Sequence, residues 1–380
     1  MISLAWSGKI EEELFPDYLA SRYYPVRIGE VLTDRYQIVG KLGFGATSTV
    51  WLARDLEGRR HVALKLFVNS ASMGNHFEHE LSIYRQIATS AAKHPGREAI
   101  RSLLDSFDIS GPGGVHQCLI HYPLWESTLT FLHRNPVRRL PSPVLAFILR
   151  RLFHALAFLH EEYIKADNIM FGINDDSVFP RFEEQELNSP SPRKLVDNGR
   201  AIYLSRELPS PKDWGAPVLC DFGSAVIDGK GHLEDVQPNI YRAPEVILEA
   251  SWSNKIDIWN VGCMIWDIFE GGHLFTGQDL EHKMYRSRAH LAEIAALLGK
   301  PPQALLESGK SSDKFFTAQG DLCPDIPVPS STTLEERETN LEGEDRQKFL
   351  AMIRKMLQWE PTKRSSAKEL AEDEWIMDNM

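Results

Sequence analysis

Residues 36–68 read strand, glycine turn, strand, Asp-Leu-Glu-Gly turn, strand, as YQIVGKLGFG, STVWLARDLEG and RRHVALKLFV. The runs are rich in β-branched and aromatic residues and are separated by turn formers, which predicts an antiparallel meander rather than helix. Any fold for this chain has to contain that small sheet.

The period then changes. Phe77, Leu81, Ile83, Tyr84 and Ile87 recur at helical spacing, and QCLIHY at 117–122 returns to strand character. From Pro143 onward Leu145, Ile148, Leu149, Leu152, Leu156 and Leu159 mark a buried helix, and further helices are expected at 256–269, 289–298 and 346–358. The fold class is therefore α+β: a small antiparallel sheet with one helix, followed by a mainly helical body. The 380 residues suffice for two such bodies. The expected division is an N-terminal extension at 1–23, a first body at 24–124 and a second at 125–380. A segment at about 174–215, polar and carrying PSPRK and LPSPKDW, reads as a partly disordered loop insertion.

The formal net charge of −11 argues against direct nucleic-acid binding and favours a basic protein or peptide partner. Cys118, Cys220, Cys263 and Cys323 form no CxxC pair, which suggests neither a zinc site nor a disulfide framework and fits a reducing compartment. The first sixteen residues have no apolar core of signal-peptide length, and the apolar stretch at 256–269 is interrupted by Asp257 and Asp267. No membrane association is expected.

Several short patterns carry chemistry. Gly43 and Gly45 in GFGATSTV allow backbone to approach phosphates, with Val50 placed to cover a base, although a GxG turn is also an ordinary hairpin and the third glycine position is Ser48. Val62-Ala63-Leu64-Lys65 ends an apolar run on one lysine, either an ammonium held for phosphates or a solvated strand end. Glu80 on the next helix can fix that lysine, with Glu78 the competitor on a less inward helix phase. Asp221-Phe222-Gly223 puts a carboxylate at a strand end, where it can bind a metal or simply form a turn.

In chain order, Gly43, Lys65, Glu80, Lys165, Asn168 and Asp221 together resemble the protein kinase domain. YYPVRIGEVLTDRYQIVGKLGFGATSTVWLARD, IKADNIMF, EDVQPNIYRAPEVIL, HLAEIAALLGKPP and MLQWEPTKRSSAKEL look like the SR-protein kinase family, especially its fungal members. The resemblance implies a bilobal kinase fold, with ATP and Mg2+ as cofactors. It implies a nucleotide site of Leu42, Gly43, Gly45, Val50, Ala63, Lys65 and Glu80, with hinge contacts from Tyr122 and Leu124 because Pro123 has no N–H. It implies metal ligation by Asn168 and Asp221 and a catalytic-loop role for Lys165. It further implies that Glu245 of the APE motif pairs with Arg364, and that Asp257 anchors the catalytic loop. The implied substrates are serines in Arg/Ser-rich splicing factors or other basic proteins, met by a monomer in cytoplasm and nucleus. Between Gly223 and Tyr241 Ser224 is the one hydroxyl residue before the tyrosine, so phosphorylation control of that segment is not expected.

The chain departs from the family at one place. Five positions before Asn168, where the HRD aspartate belongs, stands Tyr163, and Glu161-Glu162-Tyr163 follow the preceding helix directly. A neutral tyrosine does not accept the substrate proton at pH 7 as a carboxylate does. The alternatives are a shifted base at Glu162, a gene model or splice form lacking a few codons, and a nucleotide-binding scaffold.

Overall fold

The computed structural model describes residues 8–69, 76–90, 93–161, 169–196, 200–226, 231–330 and 332–380. The chain divides into two compact units. The first gathers Met1–Ala91, Ile100–Thr128 and Asn168–Ala225, the second Ala92–Ala99, Leu129–Asp167 and Val226–Met380.

The first unit is built on an antiparallel sheet of β1 (Val31–Leu32), β2 (Tyr36–Phe44), β3 (Ser48–Asp55), β4 (Arg60–Phe67), β5 (Leu103–Gly111) and β6 (Gly114–His121), in the order β1-β2-β3-β4-β6-β5. Register fixes its two faces, since directly paired residues share a face. Gly43 pairs with Val50, Val50 with Lys65 and Lys65 with Leu119, while Leu52, Ala63 and His121 form the next row on the same side. The helix His76–Thr89 covers this lysine face, with Phe77 edge-on to Phe67 and Tyr84 beside His121. On the opposite face Trp51, Ala53, Val62, Leu64, Leu66, Cys118 and Ile120 form an apolar core with Val26 and Tyr203.

Tyr203 belongs to the segment expected to be a partly disordered loop, and here the structure corrects the sequence reading. That segment holds the helix Val178–Asn188 and the hairpin of β8 (Arg193–Val196) with β9 (Arg200–Tyr203), and it leads into β10 (Trp214–Leu219), which pairs with β7 (Ile169–Ile173). Its polar composition is absorbed by pairing. Glu183 takes the Arg54 guanidinium and the His61 ring nitrogen (2.7 Å), and Glu186 binds Arg206 (2.8 Å) and Ser191. A few apolar groups supply the packing. Phe179 stacks on His61, and Phe182 lies so near β2 that a Cβ on Gly40 would meet its ring at 2.8 Å. Only glycine allows that approach.

The second unit is mainly helical. Its helix Ser142–Glu161 buries Leu145, Ile148, Leu149, Leu152, Leu156 and Leu159. By length and composition it is apolar enough to cross a membrane, but that apolar side is spent on the core, as in a soluble domain's central helix. It packs on the short turn Pro95–Ala99, where a Cβ on Gly96 would sit 1.8 Å from the His154 carbonyl. Lys255–Phe269, Ser287–Leu298 and Gly343–Met356 supply the other long helices, within a few residues of the expected bounds.

Candidate functional site

Lys65 lies mid-strand in β4 with its ammonium on the lysine face, and two carboxylates converge on it. Glu80 Oε2 is 2.7 Å from Nζ and Asp221 Oδ1 is 2.9 Å away. Helix phase brings Glu80 there, while Glu78 accepts from Gln117 at 3.4 Å on β6. Glu80 is buried and Asp221 is half-exposed at 52%.

These environments separate the three groups electrostatically. Burial alone would lower the Lys65 pKa, but the charges and hydrogen bonds of Glu80 and Asp221 outweigh it and hold the ammonium above its ordinary value. At Glu80 burial dominates and raises the carboxyl pKa, with Lys65 only partly offsetting it. Burial also pushes Asp221 upward, yet the Lys65 charge and hydrogen bond, helped by the Gly223 N–H, bring its carboxyl below the usual range. Asp221 thus stays ionised next to a fixed cation. Its Oδ1 takes the bonds from Lys65 and Gly223, and its Oδ2 has no hydrogen-bond partner among the described residues.

The backbone at Asp221 is held in a left-handed conformation, φ +64°, which is uncommon for a non-glycine residue. Its neighbours hold it there. Phe222 is fully buried with its ring edge-on to Tyr84 at 5.2 Å, and the Ala225 carbonyl faces His79 Nε2 at 2.5 Å. Both anchors come from the helix that carries Glu80, so the carboxylates of Glu80 and Asp221 are set by one element.

The glycine turn joins β2 to β3. Neither Gly43 nor Gly45 has positive φ, and a Cβ on Gly43 would meet nothing within 4 Å. These glycines are therefore required neither by turn geometry nor by internal crowding, and they leave backbone open for a close-approaching phosphate. Leu42 and Val50 are partly buried and Ala63 almost fully so. After β6, the Tyr122 carbonyl accepts from Arg101 Nη2 at 3.0 Å and keeps a second lone pair, its phenol accepts from Arg60 Nη1 at 3.2 Å, and Leu124 is partly buried. Lys165, Asn168, Tyr163 and Glu162 lie outside the described residues.

One neighbour of the site, Arg101, carried no sequence signal, and a second, His121, lies in the run expected as strand at 117–122 beside the hinge. Arg101 follows an irregular stretch, yet its guanidinium reaches the Tyr122 carbonyl. His121, paired with Ala63, is buried with Nδ1 on the Ser102 carbonyl at 3.0 Å. Burial, helped by the Arg101 charge, drives its imidazole pKa well below the ordinary value, so the ring is neutral.

In the second unit Arg364 and Glu245 make a fully buried bidentate pair at 2.7 Å, with the guanidinium over Trp259. His160, at the end of its helix, places Nε2 2.9 Å from Asp257 Oδ2. Tyr241 donates to Asp267.

The protein kinase domain family matches residues 36–376. A serine/threonine protein kinase of Aspergillus fumigatus is 41% identical over 373 residues, covering 97% of this chain and 91% of the relative. The serine/threonine-protein kinase SRPK of Physarum polycephalum is 28% identical over 401 residues (97% and 92%), and SRSF protein kinase 3 of Homo sapiens is 24% identical over 525 (98% and 92%). A crystal structure of a kinase domain matches with a TM-score of 0.70 over 93% of this chain and 99% of that one, at 20% identity, a likeness of fold.

Proposed function

The chain belongs to the protein kinase family, with SR-protein-kinase-like relatives, and from that premise we propose that it binds Mg-ATP and transfers the γ-phosphate to serines of Arg/Ser-rich or similarly basic proteins. The observation that carries the proposal is the linked triad of Lys65, Glu80 and Asp221 beside an open glycine turn.

The residues fit the nucleotide and its metal. Lys65 would hold the α and β phosphates, the turn backbone at Gly43 and Gly45 would cover them, and Leu42, Val50 and Ala63 would line the base, with hinge contacts from the backbone of Tyr122 and Leu124. Asp221, with one carboxylate oxygen to spare, and Asn168 would ligate magnesium, which when bound neutralises charge between the β and γ phosphates. Lys165 would help place the transferred group. The net charge of −11 suits an arginine-rich substrate, and a monomer shared between cytoplasm and nucleus completes the reading.

In the transfer, the serine oxygen forms a bond to the γ-phosphorus, the bond to the ADP oxygen breaks, and the serine proton must be accepted. Tyr163 stands where the accepting aspartate belongs. That substitution favours a second reading, a nucleotide-binding scaffold whose large-lobe surface docks a partner.

Transfer of labelled γ-phosphate to an Arg/Ser-repeat peptide separates the two, with Lys65→Met and Asp221→Ala as controls. Transfer lost in both variants establishes the kinase. No transfer above the controls from a folded chain, with ATP still raising the melting temperature, establishes the scaffold.

A further inference from the structure

The glycine turn is also held from the opposite face of the sheet. Lys41, two residues before Gly43, turns its side chain onto that face, where it has no solvent exposure. A lysine so placed needs partners, and its carboxylate and carbonyl partners come from elements outside the sheet. Its ammonium donates to Glu12, lies 3.2 Å from Glu11 Oε2 and donates to the Tyr203 carbonyl at 3.2 Å.

The acidic run Glu11-Glu12-Glu13 opens the short 3-10 turn Glu11–Leu14, and each carboxylate in it is engaged. Glu11 accepts from the Ser205 amide (3.0 Å) and hydroxyl (2.7 Å), Glu12 lies near Arg200 at 3.9 Å, and Glu13 accepts from Lys194 at 2.8 Å. The amino-terminal segment is thereby bolted to the β8–β9 hairpin on one side and to β2 on the other. The residue after this turn, Phe15, sets its ring at 5.9 Å and 70° from Phe44, the residue between Gly43 and Gly45. The Lys41 ammonium sits 5.2 Å from the centre of the same Phe44 ring.

We propose that residues 10–15 form a strap that fixes the glycine turn from outside, with Phe15, Glu12 and Lys41 as positioning residues for the nucleotide phosphates. Phe44 folds back onto the strap, which leaves the other side of the Gly43 and Gly45 backbone open. A free glycine turn samples many conformations and binding would have to order it, whereas a strapped one is ordered in advance. The strap rests on the nucleotide reading, and it makes a selective prediction. Its loss weakens ligands that carry phosphates and spares those that do not.

The test compares the full chain with its Phe15→Ala and Glu12→Gln variants, measuring affinity for a fluorescent ADP analogue and for adenosine, and hydrogen exchange of the amides at 42–48 without ligand. Loss of one edge-to-face aromatic contact corresponds to about two- to tenfold weaker ADP binding, with adenosine unchanged and exchange at 42–48 faster. If Phe15→Ala fails to fold, the milder Phe15→Leu and Glu12→Gln carry the same expectation. ADP and adenosine weakened equally, or neither weakened with exchange unchanged, overturns the strap. Failure of the unsubstituted chain to bind either ligand overturns the nucleotide reading and the strap with it.

Discussion

Removing the Lys65 ammonium should destabilise the ligand-free chain, and removing its buried partner as well should restore part of the loss. In Lys65→Met the Glu80 carboxylate, 1% exposed, keeps its burial and the neighbouring Asp221 charge but loses its cation. Breaking one side of a buried pair costs about 3–5 kcal/mol, whereas the half-exposed Asp221 contact contributes at most about 1 kcal/mol. For a unit of this size, that lowers the melting temperature by roughly 6–20 °C. Lys65→Met/Glu80→Gln replaces both ions by neutral groups of similar shape, so the double variant should be more stable than Lys65→Met alone, with a coupling energy of about 1–3 kcal/mol. The pH dependence has a definite sign. Glu80 already has a raised folded pKa and loses the partner that lowered it, so in Lys65→Met its protonated form is favoured in the fold. The deficit should be largest at pH 8 and shrink as pH falls toward 5. Calorimetric melting of the two single variants and the double variant at both pH values measures all of this. A double variant destabilised by the sum of the singles, with a deficit independent of pH, would show that Glu80 is not an ion confined beside Lys65.

Three further outcomes follow from the geometry. Tyr203→Ala, although in the insertion, should cost about 3 kcal/mol in urea unfolding, because Tyr203 is buried in the outer-face core against Trp51. Glu245→Ala should cost about 3–5 kcal/mol by stranding the buried Arg364, while Lys300→Ala, at an exposed pair with Asp321, should change stability by less than about 1 kcal/mol. His290 is buried and its pKa is pushed down to about 3, mainly by burial, so it folds neutral. Its contribution is complete above pH 6.5 and declines by about 1.4 kcal/mol per unit as pH falls from there toward 3, a slope that His290→Gln should remove.

What the sequence reveals here depends on how local the determinant is. Lys65 closes the apolar run Val62-Ala63-Leu64, Asp221 follows a short apolar strand, and Glu80 follows from the phase of a single helix, so neighbouring residues suffice to propose them. The insertion behaves differently. Arg54 and Glu183, or Lys194 and Glu13, look like solvated charges until distant parts of the chain meet, and only then does a polar segment become an ordered cover for the sheet. Lys41 is the sharpest case. In sequence it is an unremarkable strand lysine, yet it is fully buried because an acidic run some thirty residues earlier closes over it. Sequence periodicity does show where helices lie, but it cannot show which ionic groups are paired inside them.

The cover on the outer face of the sheet also has a consequence in time. On a ribosome the last strand of the sheet is complete at His121, but Tyr203, which seals the apolar face, is synthesised more than eighty residues later. At about 5–20 residues per second the nascent sheet waits roughly 4–16 seconds with that face uncovered. The acidic amino-terminal run waits more than twice as long for Lys194 and Arg200, roughly 9–38 seconds at the same rate. During that interval the unfinished sheet is a natural client for chaperones, and a slowed codon between 122 and 203 would lengthen its exposure.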